Sequence, residues 1–121
     1  MSVTGLDHFQ IAIPAGGEDE VRRFYIGYLG FEEVPRPAQF DGRGGLWMVA
    51  GTANLHIGVD PDFRPQKKGH PAFLVADTKA LRTRLEADGF PTADDVPIDG
   101  YRRFFTADPF GNRIELMDKT G

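Results

Sequence analysis

The chain has 121 residues, 40% of them hydrophobic and 26% charged, with a net charge of −4 and no cysteine. That length gives one domain of globular composition, with neither a disordered nor a fibrous bias. The acidic balance and scattered basic residues argue against nucleic acid, no apolar run approaches the roughly 20 residues that span a bilayer, and the missing cysteines exclude disulfides and thiolate metal sites.

The first residues, Met1 to His8, show no basic segment followed by an apolar one, so the expected setting is cytoplasmic. Leu6 to Ile13 then alternates as a strand, with Phe9, Ile11 and Ile13 on one face and His8, Gln10 and Ala12 on the other. Pro14 and the Gly16-Gly17 pair end it. From Glu18 the period changes. Val21, Phe24, Tyr25 and Tyr28 recur at helical spacing, and Glu18, Asp19 and Glu20 put negative charge in the first turn, where it suits the macrodipole. Gly30 is placed to stop this helix. A short strand near Phe31 to Val34 and a loop over 38–45 follow. Leu46 to Ala50 and Asn54 to Val59 form a hairpin across a tight turn at Gly51 to Ala53. In its second arm Leu55, Ile57 and Val59 share one face, and Asn54, His56 and Gly58 the other.

Module one therefore covers about 1–60, a charged linker with two prolines about 60–68, and module two about 69–121. The second half repeats the programme. His70 to Ala76 reads as a strand, Asp77 or Thr78 caps a helix to about Asp88, and Gly89 closes it. A short strand near Phe90 to Ala93 leads through a loop to Arg102–Ala107. That strand pairs with Asn112–Met117 across Asp108-Pro109-Phe110-Gly111. In the last strand Ile114 and Leu116 face one way, and Arg113, Glu115 and Met117 the other.

The halves superimpose as an internal duplication. His70 falls on His8, Gly89-Phe90 on Gly30-Phe31, Arg102 on Arg43, Ile114 on Leu55 and Glu115 on His56. Each half reads βαβββ, an α+β class in which a helix covers one face of a four-stranded antiparallel sheet. Two such sheets edge to edge would make an open, barrel-like fold whose inner face receives His8, His56, His70 and Glu115. Any one of these alone is an ordinary half-buried histidine or surface carboxylate. Together, every histidine of the chain plus one glutamate at repeat-equivalent inward positions points to a divalent metal site for Zn, Ni, Co, Mn or Fe. Imidazole and carboxylate suit all of these ions, and His56 is also placed to act beside the ion as a proton acceptor. Gln10 and Met117 share the inward face and could line a cavity. Arg43 and Arg102 could grip an anionic substrate group bidentately, and Trp47 could form an apolar wall.

Four segments carry a family resemblance: Leu6 to Ile13, Phe24 to Phe31, Gly69 to Phe73 and Asp108 to Leu116. Through them the chain resembles the vicinal oxygen chelate superfamily, which includes glyoxalase I, methylmalonyl-CoA epimerase, fosfomycin-resistance enzymes, extradiol dioxygenases and bleomycin-resistance binding proteins. The resemblance implies paired βαβββ modules, often in a homodimer, acting on a small-molecule substrate. It also implies His8, His70 and Glu115 as the His-His-Glu metal set. His56 departs from glyoxalase I, which has a carboxylate or amide there, and this argues against lactoylglutathione lyase activity. Three functions follow from the resemblance. The first is a glyoxalase-like isomerase or lyase, in which the substrate chelates the metal through vicinal oxygens and Glu115 or His56 moves a proton. The second is an Fe(II) extradiol-type dioxygenase with His56 as acid/base. The third is a metal-free, bleomycin-resistance-like binding protein.

Overall fold

The computed structural model describes residues 2–120. The chain divides into two compact units between Phe63 and Arg64. In the first unit β1 (Phe9–Ile13) leads to α1 (Glu18–Val21), which continues as one π-helical turn, Arg22–Ile26. Val21, Phe24 and Tyr25 on this stripe have no exposed surface. Three strands follow: β2 (Glu32–Val34), β3 (Leu46–Ala50) and β4 (Ala53–Val59). Ile11 and Ile13 of β1, Met48 of β3 and Leu55 and Ile57 of β4 complete the buried layer, as their alternation requires.

The second unit repeats this order with β5 (Ala72–Leu74), α2 (Thr78–Ala87), β6 (Thr92–Ala93), β7 (Tyr101–Ala107) and β8 (Arg113–Lys119). Asp77 is the cap of α2: its side chain accepts the Ala80 N–H at 3.0 Å. Gly30 and Gly89 follow the two helices at φ +77° and +88°, a conformation that costs a residue with a Cβ about 1–2 kcal/mol. Leu85, Phe104, Ile114 and Leu116 form the core between α2 and its sheet.

Each module is thus βαβββ, with strand orders β1-β4-β3-β2 and β5-β8-β7-β6. The expectation of wholly antiparallel sheets is corrected here, because β1 pairs with β4, and β5 with β8, in parallel. The reason is the count of reversals. Two antiparallel steps bring the last strand of each module back to the direction of its second, and the long helical connection lets the first strand run that way too. The expected strand at His70 to Ala76 is also shorter, and His70 lies just outside it.

The turn between β7 and β8 is held from inside. Asp108 accepts the N–H groups of Phe110 and Asn112 at 2.9 and 3.0 Å, and its second oxygen takes the Asn112 amide at 3.0 Å. Asn112 in turn accepts the Gln66 N–H at 3.0 Å. Arg113 N–H donates to the Gln66 carbonyl at 2.8 Å and Glu115 N–H to the Pro71 carbonyl at 3.0 Å. These bonds lay residues 66–71 along β8.

Candidate functional site

In module one the strand register carries a row of side chains across the face opposite the helix: Gln10, His56 and Trp47 are Cα partners in turn. Trp47 and His56 stack with centroids 4.0 Å apart and planes 4° from parallel. His8 stacks on His56 at 3.9 Å and 14°, so His56 lies between two rings. The segment before β1 is tied down by Asn54, whose amide donates to the Asp7 carbonyl at 3.1 Å, and Asp7 Oδ2 lies 2.8 Å from His8 Nδ1. Burial holds the His56 imidazole below its ordinary range. The neighbouring His8 adds to the effect and Asp7 opposes it.

Module two has the equivalent row, with Glu115 between Ala72 and Phe105. Glu115 is a buried carboxylate, 6% exposed. Its Oε1 lies 2.9 Å from His70 Nε2, and its Oε2 accepts from Arg103 Nη1 at 3.1 Å. His70 Nδ1 is 2.9 Å from the Lys68 carbonyl oxygen. Arg103 also donates to the Val96 carbonyl, while its buried Nε has no hydrogen-bond partner. Phe105 backs the group: the His70 ring meets it edge-on at 5.1 Å and the Arg113 guanidinium lies over it at 3.8 Å.

The sequence-predicted residues divide between these two places. His8 and His56 meet in module one, and His70 and Glu115 in module two. Within each module, among the described residues, no three His, Asp or Glu side chains gather around one point. Gln10, Arg43 and Trp47 line one pocket of about 420 Å³ in module one, together with Arg36, Phe40 and Gly58. Met117 shares the Glu115 face, opposite Arg103. Arg102 does not: it pairs with Asp118 on the helix face and donates to Asp118 Oδ1 at 2.7 Å. The Asp118 carboxyl also takes the Thr78 N–H and hydroxyl at 2.8 and 2.9 Å, and these bonds, the backbone one foremost, hold it below the usual carboxylate range. Arg102 therefore anchors α2 to its sheet, and the guanidinium beside Glu115 belongs to Arg103. Alternation along β7 gives this directly, because Arg103 and Phe105 share parity and Arg102 does not. Arg36 was missed, since nothing in a loop between two prolines marks it.

The profile of the Glyoxalase/Bleomycin resistance protein/Dioxygenase superfamily matches residues 5–116. The chain belongs to this superfamily. A glyoxalase family protein of Bacillus anthracis is 41% identical over 99% of this chain and 98% of its own, with a TM-score of 0.90. A genomically encoded fosfomycin resistance protein of Listeria monocytogenes shares the superfamily fold at 16% identity, covering 98% and 96% of the two chains with a TM-score of 0.76. An antibiotic-binding protein of Streptomyces does so at 19% identity, 99% coverage of each chain and a TM-score of 0.70. A sequence comparison with curated proteins finds no significant match. No helix among the described residues is long and apolar enough to cross a membrane.

Proposed function

We propose that this superfamily member is a divalent-metal-dependent enzyme of the isomerase or lyase kind. It acts on a small substrate presenting two adjacent oxygens, with His8, His70 and Glu115 as ligands and His56 as proton acceptor. The observation that carries the reading is the contact between His70 and Glu115. A carbonyl oxygen only accepts, so the bond to Lys68 puts a proton on His70 Nδ1. Nε2 then faces a carboxylate oxygen at 2.9 Å, a contact that either a shared proton or a metal ion can satisfy. Imidazole nitrogen and carboxylate oxygen are both donors that suit a divalent ion, and the two are already brought side by side. Arg103 orients the carboxylate from its other oxygen, as outer partners of ligating carboxylates do.

The bound ion would supply Lewis-acid polarisation of the substrate oxygens. His56 is suited to take a proton, because its lowered pKa keeps the ring neutral near pH 7. His8 and His56 are stacked in parallel at 3.9 Å, an arrangement that favours one of them as ligand and the other beside it. His8 takes the ligand role because His8, His70 and Glu115 match the His-His-Glu set of metal-dependent members. A metal-free binding protein is the second reading, favoured by Arg103, whose ion pair already satisfies Glu115.

Elemental analysis of tag-free protein, with calorimetry of Mn, Co, Ni and Zn addition, tests the reading. One ion per chain and release of a proton on binding are expected. Loading should be lost in His70→Ala and in Glu115→Gln while circular dichroism stays unchanged. Unchanged loading in either variant refutes the ligand assignment, and a wild type that takes no metal supports the second reading. Iron together with oxygen uptake would assign ring cleavage instead. The proposal includes a homodimer, which sedimentation equilibrium checks.

A further inference from the structure

The pocket in module one holds two arginines, neither in a direct ion pair. Arg36 and Arg43 both line it, and their guanidinium carbons lie 5.8 and 5.6 Å from the centroid of the same ring, Phe40. Neither makes an ion pair among the described residues. Arg36 spends three hydrogen bonds on carbonyls, those of Gly44, Phe40 and Arg43, at 3.1, 3.3 and 2.8 Å. This fixes its position, and the carboxylate acting on it through space, Glu33, is not hydrogen-bonded to it. Arg43 donates no side-chain hydrogen bond to the described residues, so its whole fork is available. Glu33 is held by Arg22 at 2.8 Å, and Glu18 accepts the Gly45 N–H at 3.1 Å. Two cations brought to one ring repel each other unless an anion sits with them.

The rest of the lining sets what that anion is attached to. Phe40 and Trp47 meet edge to face at 5.2 Å, which gives the pocket an aromatic wall. Gln10 adds an amide, and about 420 Å³ lies within the range of small-molecule sites. Guanidinium matches carboxylate bidentately, and a flat ring stacks on indole and phenyl surfaces.

We propose that this pocket binds a small aromatic carboxylate, its carboxylate gripped by Arg43 with Arg36 and its ring against Trp47 and Phe40. The pocket adjoins the proposed proton acceptor, since Trp47 stacks on His56, but none of the residues invoked is a proposed metal ligand, so binding is testable without metal.

Trp47 is the chain's one tryptophan, so its fluorescence, excited selectively over tyrosine, reports occupancy. The full chain in EDTA and low salt is titrated with benzoate, cyclohexanecarboxylate, benzamide and inorganic phosphate. Benzoate should bind with the lowest Kd, and both loss of charge (benzamide) and loss of the flat ring (cyclohexanecarboxylate) should weaken binding at least about tenfold. Arg43→Gln, on an exposed loop, should weaken benzoate by a similar factor and flatten its salt dependence. An equal affinity for benzamide, an unchanged Kd in Arg43→Gln, or no response to benzoate up to the solubility limit overturns the proposal. Phosphate binding as tightly as benzoate overturns the aromatic part and leaves only an anion site. Because EDTA is present throughout, failure here is separate from failure of the metal reading.

Discussion

Replacing Arg103 by Met removes the cation that faces Glu115 while keeping most of the side-chain volume. The pair sits in the buried regime: the two side chains are 12% and 8% exposed and 3.1 Å apart. At that distance the gross attraction is about 5 kcal/mol at an effective dielectric constant near 20. Desolvation cancels much of this, but breaking one side of a buried pair typically costs about 3–5 kcal/mol, since the other charge stays behind. His70 still touches Glu115 Oε1, so the lower end, about 3 kcal/mol, is expected. With a urea m-value of about 1–3 kcal/mol/M, the midpoint should fall by about 1–3 M. Glu115→Gln should also destabilise, leaving Arg103 against an amide. The double variant should be less unstable than the two effects added, with a coupling of at least about 1.5 kcal/mol. Urea unfolding of the four proteins at pH 7 without metal measures it. Effects that add to within about 0.5 kcal/mol would show that the pair contributes no mutual stabilisation and would refute the reasoning.

Two further outcomes follow from the geometry. The folded-state pKa of His56 lies below its ordinary 6.5, so the unfolded chain binds its proton first. The stability this ring contributes is whole above about pH 6.5 and is lost as pH falls through the lower folded value. Urea midpoints between pH 7.5 and 5 should therefore drop more steeply in the wild type than in His56→Gln, and parallel slopes would contradict this. Gly45→Ala should destabilise by at least about 2 kcal/mol, because Gly45 sits at φ +97° and an added Cβ would run into the Ile57 carbonyl oxygen. A melting temperature within a degree or so of the wild type would exclude that clash.

Much of the fold could be read from residue periodicity. Ile11, Ile13, Leu55, Ile57, Ile114 and Leu116 are buried where alternation put them, and Val21, Phe24 and Tyr25 form the stripe that helical spacing required. Strand direction could not be read, because alternation looks the same in parallel and antiparallel pairs. The sites were legible wherever a residue's strand parity was consulted. Counting back from the Gly51 turn sets Ala50 opposite Ala53 and hence Trp47 opposite His56, a pairing available from sequence and not used. Aligning the repeats placed Arg102 on Arg43, but position in a repeat says less than parity in a strand, and a shift of one residue moved the relevant guanidinium to Arg103. Arg36 lay beyond reach because its partners are three backbone carbonyls of a loop. Asp108 read as part of a turn and Asn112 as the start of a strand, and neither reading shows that their side chains are buried and bonded to each other.

That bracket in the turn carries a wider meaning. Residues 66–71 have no ladder of their own and borrow one from β8, so His70 inherits its position from a corner more than thirty residues further along the chain. Anyone transplanting the imidazole and carboxylate into another scaffold would have to bring Asp108 and Asn112 as well. The stretch of sequence easiest to spot is the carpentry behind the site, which suits partners of any chemistry equally.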